Sequence, residues 1–280
     1  MSYFNAENLT ISVPGTKCNL NCPYCISKIT ESVEYNDLLF FRNVDKVKTV
    51  ARSSNVSSVL ITGKGEPTLS NALYKIILEF NTFPIELQTN GIVFENNNDK
   101  VYRILHDLVY NGLDTISISM DYIYKNPIDR INNMSRFFEY VKKMDINVRL
   151  SVNITDQADV YFHELIKICK DNNINQLIFR NITLPIYTNE NRVTKWIKEN
   201  TRLGLYKELY NTIMTDIIPY SKLIRTTRFG MNIWDYEGIS IALSDNCIQE
   251  SNNTNDIRSL IYQADGHLYT SWNSKASRIF

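Results

Sequence analysis

The chain has 280 residues, 44% hydrophobic and 21% charged, with 30 Lys and Arg against 30 Asp and Glu. This is the composition of a globular protein able to bury a sizeable core, and its zero net charge gives no global field drawing it to nucleic acid. Five cysteines, three of them clustered, are not the usage of a secreted disulfide scaffold. The start MSYFNAENLT lacks a signal-peptide pattern and no run approaches a membrane span, so the sequence predicts a reducing, cytoplasmic setting with no membrane partner.

Six β-rich runs alternate with helical patterns up to about residue 200. LTISV (9–13) is followed by a predicted helix over 37–52, then VSSVLI (56–61) and a helix over 69–81. PIELQT (84–89), a helix over 98–111, DTISISM (114–120) and a helix over 127–144 come next. INVRLSV (146–152), a helix over 158–172 and NQLIFR (175–180) complete the series. The runs are short and rich in β-branched or aromatic residues, whereas in VYRILHDLVYNG the residues Val101, Ile104, Leu105 and Leu108 recur at helical spacing and Gly112 is the stop.

Such alternation predicts parallel βαβ units with right-handed crossovers. A complete (β/α)8 barrel takes roughly 250 residues and eight units. Six units therefore predict an α/β fold, either an open sheet or a partial (β/α)6 barrel. After residue 200 come a helix near 202–216, EGISIALS (237–244), and the polar stretch SDNCIQESNNTND (244–256), which reads as a loop. A β-hairpin then pairs RSLIYQ with LYTSW around Ala264, Asp265 and Gly266. The expected organisation is a core over 1–200 and a C-terminal region over 201–280 that closes the barrel or binds substrate.

The chemistry concentrates in TKCNLNCPYC (16–25), where Cys18, Cys22 and Cys25 follow the first strand at spacing C-x3-C-x2-C. A closed structural zinc site needs four ligands, and the next His and Cys are as far away as His106 and Cys169. A disulfide would leave one thiol over. Three thiolates suit an iron–sulfur cubane, which keeps one iron open to a non-protein ligand; three ordinary loop cysteines are the bland alternative. Cys169 stands at helical spacing from Leu165 and reads as a buried small hydrophobe. Cys247 lies in the polar late loop and is too isolated for an auxiliary cluster.

The cysteine motif, with Tyr24 just before its third Cys, resembles the radical S-adenosylmethionine (SAM) superfamily. TGKGEPTL (62–69) at the end of the second strand is similar to that family's GGEP segment, with Lys64 where many members carry Gly. QTNG (88–91), SISMD (117–121) and RLSVNIT (149–155) at later strand ends resemble its other cofactor segments. The resemblance covers roughly 9–183. It implies that Cys18, Cys22 and Cys25 hold a [4Fe–4S] cluster whose open iron chelates SAM. Reduction would cleave SAM to a 5′-deoxyadenosyl radical that abstracts a substrate hydrogen.

It further implies close backbone approach at Gly63 and Gly65 through their freedom from a Cβ and from φ limits, and acceptance of the SAM amino group by Glu66. Hydrogen bonds from Ser117, Ser119 and Asn153, neutralisation of the SAM carboxylate by Arg149, and a cofactor-side position for Tyr24 complete the expected set. Arg180, in IFRN, is a candidate for an anionic substrate or a surface carboxylate. Tyr262, Tyr269 and Trp272 alternate as if to pave either a substrate face or the barrel's open side.

The expected function is thus a single-cluster radical SAM enzyme acting on a small-molecule, possibly nucleotide-like, or peptide substrate, with an external donor such as flavodoxin or ferredoxin. A peptide- or protein-modifying maturase or a glycyl-radical activating enzyme is the alternative within the class. A non-catalytic iron–sulfur or zinc protein is the alternative outside it. A tRNA-modifying role is disfavoured by the charge balance and the lack of an RNA-binding appendage.

Overall fold

The computed structural model describes residues 4–15, 17–30, 33–95, 99–120, 127–155, 162–182, 184, 189–201, 208, 211–244, 256–272 and 274–280. Six strands appear where the β-rich runs predict them: β1 (Asn5–Val13), β2 (Ser58–Gly63), β3 (Ile85–Thr89), β4 (Thr115–Ser119), β5 (Asn147–Ile154) and β6 (Gln176–Asn181). The crossovers carry α1 (Asp37–Ser53), α2 (Leu73–Phe80), α3 (Lys100–Tyr110), α4 (Pro127–Asn133), α5 (Ser135–Val141) and α6 (Phe162–Asp171). A further helix, α7 (Arg192–Asn200), starts on a capping box between Asn191 and Thr194.

Beyond α7 come β7 (Lys222–Thr226), β8 (Asn232–Tyr236), β9 (Ile239–Ser244), β10 (Asp256–Tyr262) and β11 (Leu268–Tyr269). The described strands form one sheet in the order β11-β10-β1-β2-β3-β4-β5-β6-β9-β8-β7. The six expected strands are thus flanked on both sides. β10 joins β1 and β9 joins β6, each in parallel, while β11, β8 and β7 run antiparallel at the margins. The hairpin lies where Ala264, Asp265 and Gly266 place it, with Gly266 at φ +79° and a Cβ there 2.7 Å from the backbone of Leu39 and Phe40.

Each parallel strand has two unlike faces. Leu9, Ile11, Val59, Ile61, Leu87, Ile116, Leu150 and Phe179 on the outer face are buried under Phe40, Ile76, Leu105, Phe138 and Leu165 of the helices. Each such burial contributes about 1.5–3 kcal/mol. The alternate residues are polar. Gln88, Ser117, Arg149, Gln176 and Ser240 stand opposite one another across five strands and so share a face. Residues from β1, β2, β3, β5, β6, β7, β8, β9 and β10 line one cavity of about 440 Å³, so the polar face curls into a trough. Its margins approach each other where Arg228, between β7 and β8, pairs with Asp256 of β10 at 3.6 Å. The fold is an α/β partial barrel.

Two helices differ from expectation. The pattern over 127–144 breaks at Met134, whose N–H donates to both Arg130 O and Ile131 O, closing a tight turn after Asn132 and Asn133; asparagine competes locally for backbone hydrogen bonds. The pattern over 69–81 begins late because Ser70 is extended and donates its hydroxyl to Pro14 O at 2.7 Å. The predicted helix near 202–216 lies largely outside the described residues; its described end, Ile213–Ile217, is a wider π-type turn.

Candidate active site

The cysteine loop leaves β1 through Pro14 and Gly15 and is tied to the ends of the next two strands. Glu66 N donates to Lys17 O at 2.9 Å, and Asn90 Nδ2 donates to Asn19 Oδ1 at 2.8 Å. Lys28 Nζ donates to Cys22 O at 2.8 Å and to Asn21 Oδ1 at 2.6 Å, which ties its charge to the backbone of the cysteine loop. Cys25 Sγ lies 2.8 Å from Ser27 Oγ. Cys18 is exposed, and Cys22 and Cys25 are half-buried.

Cys18 and Cys22 form one wall of a cavity of about 190 Å³ at the C-terminal ends of the strands. Thr62, Gly65, Glu66, Gln88, Asn90 and Ser119 line the rest. Glu66 is the anchor of this wall, only 4% exposed. Its Oε1 accepts from Thr68 N at 3.0 Å, Thr68 Oγ1 at 2.7 Å and Thr89 Oγ1 at 2.5 Å, and its Oε2 accepts from Asn90 N at 2.8 Å. The carboxylate therefore binds the end of β2 to the end of β3.

Arg130 does the same for β3 and β4. Its guanidinium donates to Asn90 O and to Ser119 O, and its Nε pairs with Glu95 Oε1 at 2.8 Å. Gly91, at φ +74°, gives it passage, since a Cβ there would stand 3.2 Å from Arg130 Nη2 and 2.8 Å from Ile118.

Of the predicted residues, the structure brings Cys18, Cys22, Gly65, Glu66 and Ser119 into this cavity. Ser117 is buried two residues deeper on the same face of β4, and Asn153 faces the trough beside Arg180 in register. Gly63 lines the trough. Neither Gly63 nor Gly65 has positive φ; what Gly63 requires is space, because a Cβ would lie 2.9 Å from Val13.

Arg149 sits third in β5, away from the strand's C-terminal end, and forms an ion pair with Glu86. Gln176 Oε1 accepts from its Nε at 2.9 Å and its Nη2 at 2.7 Å. These partners hold it within the trough rather than at the cavity. Tyr24 turns away as well; its ring packs 5.4 Å from Trp196 in a small apolar cluster with Val193 and Ile197 of α7.

Tyr262 is fully buried, stacked 4.4 Å from Phe40 and donating to Phe40 O, and Tyr269 donates to Asp265 Oδ2 at 2.7 Å. Of that aromatic trio only Trp272 lines the trough. Asp121 and Cys247 lie outside the described residues. Sequence reasoning missed Thr62, Arg130 and the carboxylate-binding role of Thr68 and Thr89. Arg130 left no signal, as it falls inside an ordinary helical pattern.

The donor set is suited to an iron–sulfur cluster. Three thiols on one loop are soft ligands, and two of them face a cavity whose opposite wall carries a buried carboxylate and a hydroxyl. Among the described residues no three His, Cys, Asp or Glu side chains converge on a single-ion site; a cubane spreads its thiolates over three irons and needs a wider triangle.

A profile described as the radical SAM superfamily matches residues 12–199. The chain belongs to the radical SAM superfamily. That is a family of enzymes whose cofactors are a [4Fe–4S] cluster and SAM. Among curated relatives, a GTP 3′,8-cyclase of Clostridium acetobutylicum is 28% identical over 182 residues, 65% of this chain and 54% of the relative. One from Staphylococcus epidermidis is 29% identical over 174 residues, 57% of this chain and 48% of its own. The chain thus spans about half the length of these relatives. Streptococcus suis SuiB bound to its precursor peptide SuiA has the same fold, with a TM-score of 0.61 at 15% identity over 95% of this chain and 60% of SuiB. Among the described residues no helix is long and apolar enough to cross a membrane.

Proposed function

We propose that this radical SAM enzyme removes a hydrogen atom from a small-molecule, nucleotide-like substrate held in the trough. The supporting observation is that Thr62 and Gln88 line both the cysteine-side cavity and the trough, so a ligand in one abuts a ligand in the other. About 440 Å³ falls within the range of small-molecule sites, about 300–1,000 Å³. The relatives' name, GTP 3′,8-cyclase, supports a nucleotide-like substrate.

When bound, cluster and SAM together supply a one-electron reductive cleavage that generates a carbon-centred hydrogen abstractor. The chain's residues do the rest. Cys18, Cys22 and Cys25 hold the cluster. Glu66 Oε2, which has one described donor, accepts from the SAM ammonium, and Ser119 with Asn153 donates to ribose or carboxylate oxygens. The described residues of 201–280 line one side of the trough through β7 to β10 and Trp272, which supports a role in closing it. The exposed Cys18 side offers a cytoplasmic flavodoxin or ferredoxin a short path.

One feature favours a second reading, a peptide substrate: β7 is exposed along its whole length at the sheet margin, an edge that an extended peptide can pair with.

Anaerobic reconstitution should give about four irons per chain, and dithionite with SAM should release 5′-deoxyadenosine. Cys22→Ala should lose both the iron and the cleavage. A colourless zinc-bound protein, or a reducible cluster that leaves SAM intact, would refute the catalytic reading.

A further inference from the structure

The trough has an unbalanced charge. Among the described residues, Lys64, Arg149, Arg180, Arg225 and Arg258 line it against two carboxylates, Glu7 and Glu86. Glu86 is engaged by Arg149, so that ion pair is internally neutral.

Arg180 is different. It lies at the C-terminal end of β6, on the same face as Gln176 and Ile178, and its register neighbours are Asn153 and Ser244, neither of them charged. Its Nε is buried with no hydrogen-bond partner. A buried unsatisfied guanidinium N–H is costly, and nearly all such groups in folded proteins find a partner. Arg225, from β7, faces the same space beside Ile233 and Ala242. A cation-rich trough with protein walls concentrates anions, and a planar guanidinium fork matches two oxygens of a carboxylate or phosphate.

We infer that Arg180, assisted by Arg225, is the seat of an anionic group of the substrate, a phosphate or a carboxylate, at the cysteine end of the trough. The seat lies on β6, in the lining of the trough and outside that of the cysteine-side cavity. It orients the substrate by one end and leaves the other toward Thr62 and Gln88. This rests on reading the trough as the substrate site of the radical SAM enzyme.

The test reads binding rather than turnover. Cluster-reconstituted protein saturated with SAM is titrated calorimetrically with inorganic pyrophosphate and, separately, with succinate, at low and high salt. At least one should bind, more weakly at high salt. Arg180→Met should weaken it about tenfold or more, and Arg180→Lys several-fold, because the charge stays and the fork is lost. SAM affinity by equilibrium dialysis should be unchanged in both. Tighter binding of pyrophosphate assigns a phosphate seat, and tighter binding of succinate a carboxylate seat.

Equal affinity in wild type and Arg180→Met, or no binding of either anion by wild type, overturns the inference. If Arg180→Met does not fold, Arg180→Lys decides, and wild-type affinity in that variant overturns it. Failure to release 5′-deoxyadenosine with anion binding intact would instead defeat the catalytic reading alone.

Discussion

Glu66 shows how one side chain can tie two strand ends together and still line the cysteine-side cavity. Its carboxylate satisfies four donors, while its backbone N–H holds Lys17 of the cysteine loop. Glu66→Ala should therefore cost about 2–4 kcal/mol in urea unfolding, since buried donors lose their acceptor. The loop tie survives the change, so iron content should stay at wild-type level while SAM affinity falls. Loss of iron would mean that the carboxylate itself positions the loop. Cys169 makes the opposite case. It is fully buried, and burial pushes its thiol from 9.0 up to about 12. A folded value above the ordinary one favours the neutral thiol. Its stabilising effect is whole below pH 9.0 and drains away as pH rises toward about 12. Iodoacetamide at about pH 8 should label the loop cysteines of apoprotein and spare Cys169 until denaturant is added.

The central elements were readable because each β-rich run couples a branched apolar outer face to a polar alternate. In TISIS of β4 and VRLSVNI of β5 that alternation would ordinarily mean a half-solvated antiparallel sheet. Here it means a polar trough inside a partial barrel. The Cys, GEP and Ser segments were legible as segments that meet at one cavity, since each follows a strand end. Tyr24 and Arg149 were not placed by their neighbours in sequence. Tyr24 depends on Trp196, and Arg149 on Glu86 and Gln176 from other strands. β7 and β8 were missed because β7 is exposed on both faces and carries no alternation. α7 had a usable signal, Asn191 three residues before Thr194 with Val193 and Ile197 following. Arg130 belongs to this scale because it clamps two strand ends from a helix. Arg130→Met should destabilise by about 3–5 kcal/mol, leaving Glu95 without its buried partner, as read by urea denaturation.

At the scale of the molecule, the trough and the cysteine-side cavity are distinct volumes sharing Thr62 and Gln88. Ala242 of β9 lines the trough and is absent from the cysteine-side lining. Ala242→Trp should fill part of the space at a stability cost of about 1–3 kcal/mol. Substrate conversion should drop on the order of 100-fold while unproductive 5′-deoxyadenosine formation persists. Loss of both activities in a folded protein would show that the two volumes are not independent.

The pairing of β1 with β10 joins Asn5 to Asp256, 251 positions apart. During synthesis, the strand that launches the cysteine loop must therefore wait for residues near 256 to leave the ribosome before its second edge is covered. Until then the nascent chain displays an unpaired β edge next to three free thiols. Cluster insertion that waits for this last pairing would meet a finished cradle, so the order of assembly is written into which strand sits beside the first.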